Sequence, residues 1–244
     1  MSFSDDEIER YARHLVLAEL GGPGQQRLKA ARVAIVGLGG VGAPAALYLA
    51  AAGVGALRLI DPDEVGLSNL QRQIAFADDD LGELKVEAGA RRLGGLNPHV
   101  EIEAAPERLT AANAGWLLED CDLVLDGTDD YETRFATNAA CVAAGAPLVS
   151  GALGRWSGQV GVFAGRPCYR CLVPGTPPDA ETCARVGVVG ALAGVVGSMA
   201  ALEAIKLITG AGEPLTGRLL IYDGLAGTAR TVGVVADPDC PVCG

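Results

Sequence analysis

The chain has 244 residues and a formal net charge of −11, with 30 acidic and 19 basic residues. A negative field of this size repels nucleic acid and anionic membrane surfaces, so neither is expected as a partner. Hydrophobic residues make up 50% of the sequence and charged residues 20%, which excludes a disordered chain and predicts a single globular domain over residues 1–244.

The amino-terminal segment predicts a cytoplasmic location. Residues 1–7 carry neither the basic region nor the apolar region of a secretory signal peptide. The longest uncharged stretch, residues 186–202, is shorter than the roughly 20 apolar residues of a membrane-spanning helix. Its glycines recur at helical spacing, so we expect a buried core helix or a dimer-contact helix.

The first 150 residues alternate between apolar runs and helical patterns. Such alternation is typical of a parallel sheet with helices on both faces, so we predict an α/β, Rossmann-like fold. The predicted strands are 32–36, 56–60, 100–104, 123–125 and 147–150, and the predicted helices are 44–52, 85–96, 109–119 and 131–144.

The pattern changes after residue 150. Residues 159–163 and 219–222 are predicted as further strands, with a long helix over 188–209 between them. Residues 174–181 are rich in proline and glycine and predict a loop. Because no linker divides the chain, we expect the first part, about 30–150, to be continued by a smaller β-containing part over about 151–244.

Two Cys-x-x-Cys pairs stand out among the seven cysteines. Cys168 and Cys171 form the first pair, and Cys240 and Cys243 form the second. Two such turns supply the four thiolates of a closed tetrahedral zinc site. We therefore predict a structural Zn²⁺ ion that fastens the last residues to the carboxy-terminal part, with a redox-active pair as the alternative.

A glycine-rich turn follows the first predicted strand. Gly37, Gly39, Gly40 and Gly42 precede a predicted helix, as in the G-x-G-x-x-G turn that brings a phosphate close to a helix N-terminus. Asp61 ends the next strand, where an acid that binds ribose hydroxyls is expected. The turn therefore predicts a nucleotide site. Taken alone it favours a nicotinamide-dependent dehydrogenase, and a packing turn without a ligand is the alternative.

Charged residues beyond this turn favour a triphosphate over a nicotinamide cofactor. They follow the second and fourth predicted strands, and open α/β sheets bind ligands at the carboxyl ends of their strands. Arg72 and Lys85 would neutralise the phosphates of ATP, and Asp129 would hold a magnesium ion bridging the phosphate oxygens. Taken singly, each residue is also compatible with a solvated surface charge.

Together these motifs resemble one family, the ubiquitin-activating-enzyme-like adenylating proteins of the MoeB/ThiF group. The resemblance covers residues 10–243 in the family's order and includes the glycine-rich turn and both cysteine pairs. The other matching segments are Arg10-Tyr-Ala-Arg13-His, Asp61-x-Asp63-x-Val-x-x-Ser-Asn69-Leu-Gln-Arg72-Gln, Lys85, Asp126-Gly-Thr-Asp129 and Glu203-Ala-Ile-Lys206.

The resemblance implies ATP-dependent adenylation of the carboxy-terminal glycine of a ubiquitin-like sulfur-carrier protein that ends in Gly-Gly. Arg13 matches an arginine that reaches the nucleotide site of a partner subunit, which implies a homodimer. The motifs and the resemblance together assign catalytic roles to Arg13, Arg72, Lys85, Asp129 and Cys183, and nucleotide binding to Gly37, Gly39, Gly40, Gly42, Asp61, Asp63, Asn69, Arg72 and Lys85.

Some points stay open after this comparison. Cys183 matches a family cysteine that in some members links covalently to the carrier or to a separate sulfur donor; an unreactive surface thiol is the alternative. Asp130 stands where the family usually has asparagine, and Ala191 where proline is usual. The carrier is either the small subunit of molybdopterin synthase, which we favour, or the thiamin sulfur carrier. A nicotinamide-dependent reductase and a silent binder of ubiquitin-like proteins remain as other classes.

Overall fold

The computed structural model of the protein describes residues 2–177 and 187–244. Its centre is one eight-stranded sheet with the strand order β3-β2-β1-β4-β5-β6-β7-β8. The strands are β1 (Arg32–Val36), β2 (Ala56–Ile60), β3 (Glu101–Ala105), β4 (Leu123–Asp126), β5 (Leu148–Gly154), β6 (Ser157–Phe163), β7 (Arg218–Asp223) and β8 (Thr228–Gly233).

The sheet is parallel in its first half and antiparallel in its second. Strands β1 to β5 pair in parallel, and β6, β7 and β8 continue the same sheet in antiparallel pairs. After β1 the chain moves outward through β2 and β3 and then returns to place β4 on the other side of β1. The strand order therefore reverses between β1 and β4, and a crevice for a ligand forms at the carboxyl ends of such strands.

Helices cover both faces of this sheet. They are α1 (Asp5–Arg10), α2 (Ala12–Leu15), α3 (Gly21–Ala30), α4 (Gly42–Ala52), α5 (Lys85–Leu96), α6 (Ala114–Leu117), α7 (Tyr131–Ala144), α8 (Tyr169–Leu172) and α9 (Gly190–Thr209). Strand β1 is buried on both sides: Val33 and Ile35 belong to one apolar cluster, and Ala34 and Val36 belong to another. Alternate residues of a strand face opposite sides, so the two clusters lie on opposite faces and the predicted Rossmann-like fold is confirmed.

The long helix α9 packs against the sheet. It contacts strands β5 and β6 and helices α3 and α4, as expected for a core helix. Among the described residues it is the one helix with the length and apolar composition to cross a membrane, a property that it shares with core helices of this kind. Its C-terminal half holds the following loop, because the Glu203 carboxylate accepts a hydrogen bond from the Leu215 N–H at 2.7 Å and pairs with Lys206 at 2.5 Å.

Most predicted elements are confirmed within one or two residues, but the helix predicted over 109–119 is wrong. Only Ala114–Leu117 is helical. The Asn113 side chain accepts hydrogen bonds from the backbone N–H and the hydroxyl of Thr110, at 2.7 and 3.0 Å. This local bonding competes with the helical pattern and delays the helix until after Asn113. Helices α1, α2, α3 and α8 and strand β8 were not predicted.

Candidate functional site

A cavity of about 330 Å³ opens at the reversal point of the sheet, beside the carboxyl ends of β1, β2 and β4. It brings together most of the residues predicted to bind a nucleotide. Those that line it are Gly37, Gly39, Gly40, Asp61, Asp63, Asn69, Arg72, Lys85 and Asp129. Gly42 and Arg13 lie outside the lining.

Two glycines of the turn after β1 are required by close approach. Gly37 has a φ of +83°, and a Cβ there would lie 2.9 Å from the side chain of Thr128. A Cβ on Gly42 would lie 1.9 Å from the carbonyl oxygen of Gly37. Gly37 allows the tight turn and Gly42 allows the close packing of the helix, as the first and third glycines of such turns do. Gly39 and Gly40 face the cavity, directly before the N-terminus of α4.

Asp61 fastens the glycine-rich turn to the end of β2. Its carboxylate accepts hydrogen bonds from the backbone N–H groups of Leu38, at 2.7 Å, and Asp63, at 2.9 Å. Burial raises the pKa of this carboxyl group, while the Lys85 ammonium and the two backbone bonds act in the opposite direction. Asp61 therefore has a structural role in addition to the ribose contact predicted for it.

Lys85 is the first residue of α5 and is buried. Its Nζ lies 2.8 Å from the Asp63 carboxylate and 3.7 Å from the Asp61 carboxylate. A buried cation must be paired, and these two carboxylates hold the ammonium at the wall of the cavity. Lys85 is thus set where it can meet an anion in the cavity.

A short 3₁₀ turn positions Asn69 and Arg72. The Asn69 side chain accepts a hydrogen bond from the Gly66 N–H at 3.0 Å, and its backbone carbonyl accepts one from the Arg72 N–H at 3.0 Å. The Arg72 guanidinium donates to the Ser68 carbonyl at 2.8 Å. The aliphatic part of the Arg72 side chain passes Gly40, since its Cδ is 3.7 Å from the position that a Cβ on Gly40 would occupy.

The loop after β4 presents Asp129 to the cavity, while the neighbouring Asp126 and Asp130 accept hydrogen bonds within the chain. Asp130 caps helix α7 by accepting a hydrogen bond from the Thr133 N–H at 2.8 Å. The Asp126 carboxylate is buried and accepts two bonds from Thr128. Asp129 is exposed and lines the cavity, so its carboxylate is available to a metal ion.

Arg134 is a buried cation that the sequence did not single out. Its guanidinium donates to the carbonyls of Thr128 and Gly151 and lies near the Tyr169 hydroxyl. Burial lowers its pKa, but the Asp126 carboxylate, Tyr169 and Tyr131 together outweigh this effect and leave the pKa raised. This network joins the ends of β4 and β5 at the cavity. In the sequence, the signal available for this site residue was an arginine four residues after Asp130, the N-cap of α7.

The four cysteines predicted to bind metal lie together. The Sγ atoms of Cys168, Cys171, Cys240 and Cys243 are all within 4.8 Å of one another. Cys168 and Cys240 are 3.6 Å apart, and Cys171 and Cys243 are 3.5 Å apart. A tetrahedral ion with metal–sulfur bonds of 2.3 Å requires sulfur separations of about 3.8 Å, so the donor set fits a closed zinc site.

The cysteine cluster is connected to the cavity by helix α7. Asn138 donates to the Cys168 Sγ at 3.5 Å and accepts from the Tyr169 N–H at 2.8 Å. It lies one helical turn after Arg134, on the same side of α7.

The remaining predicted residue, Cys183, lies outside the described residues. Ala191 is the second residue of α9, and that helix begins at Gly190 without a proline.

Comparison with known proteins identifies the class. The model of the ThiF family matches residues 11–242, and the chain belongs to this family. The sulfur carrier protein adenylyltransferase of Thermus thermophilus is 46% identical, with 100% of this chain and 93% of that protein covered. The molybdopterin-synthase adenylyltransferase of Escherichia coli is also 46% identical, with 99% and 98% covered.

Further relatives agree with this class. The SAMP-activating enzyme E1 of Haloferax volcanii is 45% identical, with 100% of this chain and 92% of that protein covered. The predicted class of enzyme, an adenylyltransferase, is confirmed by these relatives. A crystal structure of Escherichia coli MccB with MccA-N7isoASN has a TM-score of 0.84 at 24% identity, covering 96% of this chain and 75% of that one, which shows the shared fold.

Proposed function

We propose that this protein uses ATP and magnesium to adenylate the carboxy-terminal glycine of a ubiquitin-like sulfur-carrier protein. The observation that carries the proposal is the cavity itself, in a chain of the ThiF family. Around one glycine-rich turn it gathers the two cations Arg72 and Lys85 and the available carboxylate of Asp129. The names of the relatives supply the class of substrate.

The chemistry needs charge stabilisation more than acid–base catalysis. A carboxylate is already a nucleophile at neutral pH, so an oxygen of the carrier's terminal glycine can attack the α-phosphorus of ATP directly. That oxygen–phosphorus bond forms while the bond to the departing pyrophosphate breaks. The protein must align the two reactants and stabilise the negative charge on the phosphates.

The residues of the cavity are suited to these tasks. We assign Arg72 and Lys85 to the phosphates, because both are cations held against the glycine-rich turn by the rest of the chain. Asn69, Asp61 and Asp63 would contact the nucleotide from the same turn. When bound, Mg²⁺ neutralises phosphate charge, and Asp129 would hold it. The cysteine cluster would hold Zn²⁺ as a structural ion.

A homodimer is part of the proposal. Arg13 lies in α2, is exposed and does not line the cavity of its own chain. The same segment exposes two apolar side chains, Val16 at 79% and Leu17 at 48%. An isologous contact that covers them would bring Arg13 of each chain towards the cavity of its partner.

An exchange assay tests the proposed reaction. The chain should incorporate labelled pyrophosphate into ATP when a carrier ending in Gly-Gly is present, and not when the two glycines are deleted. Comparing the small subunit of molybdopterin synthase with the thiamin sulfur carrier decides the substrate, and we expect the first to support faster exchange. A separate sulfur donor would act after this step.

The alternatives make different predictions. Titration with NAD that gives tighter binding than ATP would favour a nicotinamide-dependent reductase. Carrier binding without any pyrophosphate exchange would favour a silent binding protein. Either result would refute the proposed function.

A further inference from the structure

Arg134 is a buried cation at the cavity for which the proposed reaction has no task. It is 6% exposed and is the fourth residue of α7. The N-terminus of a helix favours anions, so local helix preferences do not account for an arginine in this turn. Among the described residues its hydrogen-bond partners are two backbone carbonyls and the Tyr169 hydroxyl, with no carboxylate. A buried charge is costly without a paired charge, so its place requires a reason.

The guanidinium fixes the carbonyl of Thr128, in the loop after β4. Arg134 Nε donates to this carbonyl at 3.1 Å, and Nη2 donates to it as well. Nη2 also donates to the carbonyl of Gly151 at 2.9 Å, directly after the last residue of β5 that pairs with β4. The planar guanidinium therefore holds the loop and β5 in one fixed geometry, which the single nitrogen of an ammonium group cannot reproduce.

This bond controls how the chain enters Asp129. The carbonyl of Thr128 and the N–H of Asp129 belong to one planar peptide unit, so Arg134 sets the orientation of that unit. The Asp126 carboxylate holds Thr128 from the other side, through its N–H at 2.9 Å and its hydroxyl at 2.7 Å. The following residue, Asp130, is fixed as the N-cap of α7. The backbone on both sides of Asp129 is thus held, while its carboxylate stays exposed at the cavity.

The glycine-rich turn has its own anchor. Thr128 packs against Gly37 of this turn, but the turn is fastened to the end of β2 by the Asp61 carboxylate, which accepts a hydrogen bond from the Leu38 N–H at 2.7 Å. Within the described part of the chain, no hydrogen bond of Arg134 reaches the turn. A change at Arg134 should therefore loosen the loop after β4 and leave the phosphate-binding side of the cavity in place.

We propose that Arg134 is a positioning residue for magnesium: by holding the Thr128 carbonyl, it keeps the Asp129 carboxylate where it can bind the ion that accompanies ATP. This inference rests on the proposed function, since it takes Asp129 as the magnesium ligand. Mg²⁺ demands a nearly ideal octahedral geometry, so a ligand on a loosened loop binds it weakly. Losing a residue that orients a metal ligand typically lowers metal affinity or activity by about ten- to a hundredfold.

The gain in ATP affinity that magnesium provides measures this role. The gain is the ratio of the ATP affinities with and without Mg²⁺, from calorimetric titration of the full chain without a carrier. Arg134→Lys keeps a cation near the buried Asp126 carboxylate, which preserves the fold, but it cannot hold both carbonyls. It should lower the gain about tenfold and leave the ATP affinity without Mg²⁺ within about twofold of the wild type. Pyrophosphate exchange should then require about tenfold more Mg²⁺ for half of its maximal rate.

Arg58→Lys is the matched control. Arg58 is a half-buried arginine that also donates to two backbone carbonyls, those of Leu117 and Glu119, each at 2.9 Å. It does not line the cavity. The gain in ATP affinity and the Mg²⁺ requirement of exchange should stay within about twofold of the wild type in this variant, whatever its Tm, because these bonds do not reach the loop after β4.

A double variant tests whether Arg134 acts through Asp129. In Asp129→Ala the ligand is gone, so adding Arg134→Lys should change the remaining gain by less than about twofold. A further tenfold loss in that background would show that Arg134 does not act through Asp129. Equal losses of ATP affinity with and without Mg²⁺ in Arg134→Lys would place the guanidinium on the nucleotide itself. A lower Tm with an unchanged gain would make Arg134 a residue of the fold alone.

The same measurements separate this inference from the proposed function. If the wild-type chain binds no ATP, or if Asp129→Ala keeps the full gain from Mg²⁺, the proposed use of ATP and magnesium at Asp129 fails, and the role of Arg134 fails with it. If both behave as proposed and Arg134→Lys keeps the gain, only the role of Arg134 fails.

Discussion

At the scale of single residues, Lys85 is the group whose loss should affect the reaction most clearly. Its ammonium lies between Asp61 and Asp63 at the cavity wall. Lys85→Met should lower the rate of pyrophosphate exchange on the order of a hundredfold, because one preorganised charge contact contributes about 3 kcal/mol. The variant leaves two carboxylates without their cation, so the pKa of Asp61 should rise further.

Lys206→Met is the control for this experiment. Lys206 is also paired with a glutamate, at the end of α9, but it does not line the cavity. Exchange should continue at close to the wild-type rate in this variant. Equal rates for the two variants would show that Lys85 does not contact the reacting phosphates.

Sequence reasoning located the site through residues that form motifs at strand ends. Gly39, Asp61 and Lys85 were found because their spacing and chemistry are visible along the chain. Arg134 had only its position after the helix cap as a signal, because its importance depends on burial and on partners that only the folded structure supplies. The close approaches that require Gly37 and Gly42 were equally invisible in the sequence.

At the scale of elements, the N-terminus of α7 accounts for one departure from the family pattern. Asp130 caps this helix through Thr133. Both Asp and Asn are good N-cap residues, so the substitution preserves the cap. Asp130→Asn should leave the free energy of unfolding within about 0.5 kcal/mol of the wild type, whereas Asp130→Ala should reduce it by about 1 kcal/mol.

Urea unfolding measures both variants. The second carboxylate contact, 3.4 Å from the exposed guanidinium of Arg108, contributes little because water screens it. A loss in Asp130→Asn as large as that in Asp130→Ala would mean that the charge matters there and not the cap.

The cysteine cluster ties the last segment of the chain to α8. Cys168 and Cys171 belong to the region of α8, and Cys240 and Cys243 follow the last strand. Removing a bound ion with a chelator should lower the Tm by about 5 °C or more, since an ion present at a hundred times its Kd stabilises the fold by about 2.7 kcal/mol. Metal analysis should find one zinc per chain before chelation.

Cys243→Ser and Cys121→Ser separate the cluster from the other thiols. Cys243→Ser should lose the metal and the rise in Tm that the metal provides, because a closed site uses all four ligands. The second lies outside the cluster and should keep both. Native protein that contains no zinc, with all four thiols open to alkylation, would contradict a metal site.

The elements that sequence patterns predicted well are those buried on both sides. Strand β1 is apolar after Arg32 and β2 is apolar apart from Arg58, and the turns that follow them contain glycine or polar residues. Strand β8 was missed because every residue in it is exposed, so it lacks apolar alternation. Helix α3 begins with a glycine-rich segment of low helix propensity and forms through its packing, with Leu28 fully buried.

At the scale of the whole molecule, the amino-terminal segment is fixed to the body of the fold by polar contacts. The Glu7 carboxylate pairs with Lys29 at 2.7 Å. The His14 ring is 2.9 Å from the Gln25 side chain, whose amide donates to the Ala52 carbonyl at 2.7 Å. These contacts hold the backbone on both sides of Arg13 while the Arg13 side chain remains exposed. A segment built in this way can present its arginine to a second chain.

Mixing two inactive variants tests whether the sites are shared between chains. Arg13→Ala and Asp129→Ala should each lose exchange activity, by on the order of a hundredfold. In a heterodimer of the two, one site combines Asp129 of the first chain with Arg13 of the second and is intact, and the other site lacks both residues. After subunit exchange of an equal mixture, half of the dimers are heterodimers with one intact site of two. The mixture should therefore recover about a quarter of the wild-type exchange activity, since exchange counts intact sites. Unfolding and refolding the variants together, with two affinity tags to isolate the heterodimer, makes the measurement direct. Isolated heterodimer that shows no more activity than its two parents would place Arg13 in the cavity of its own chain, against the proposed dimer.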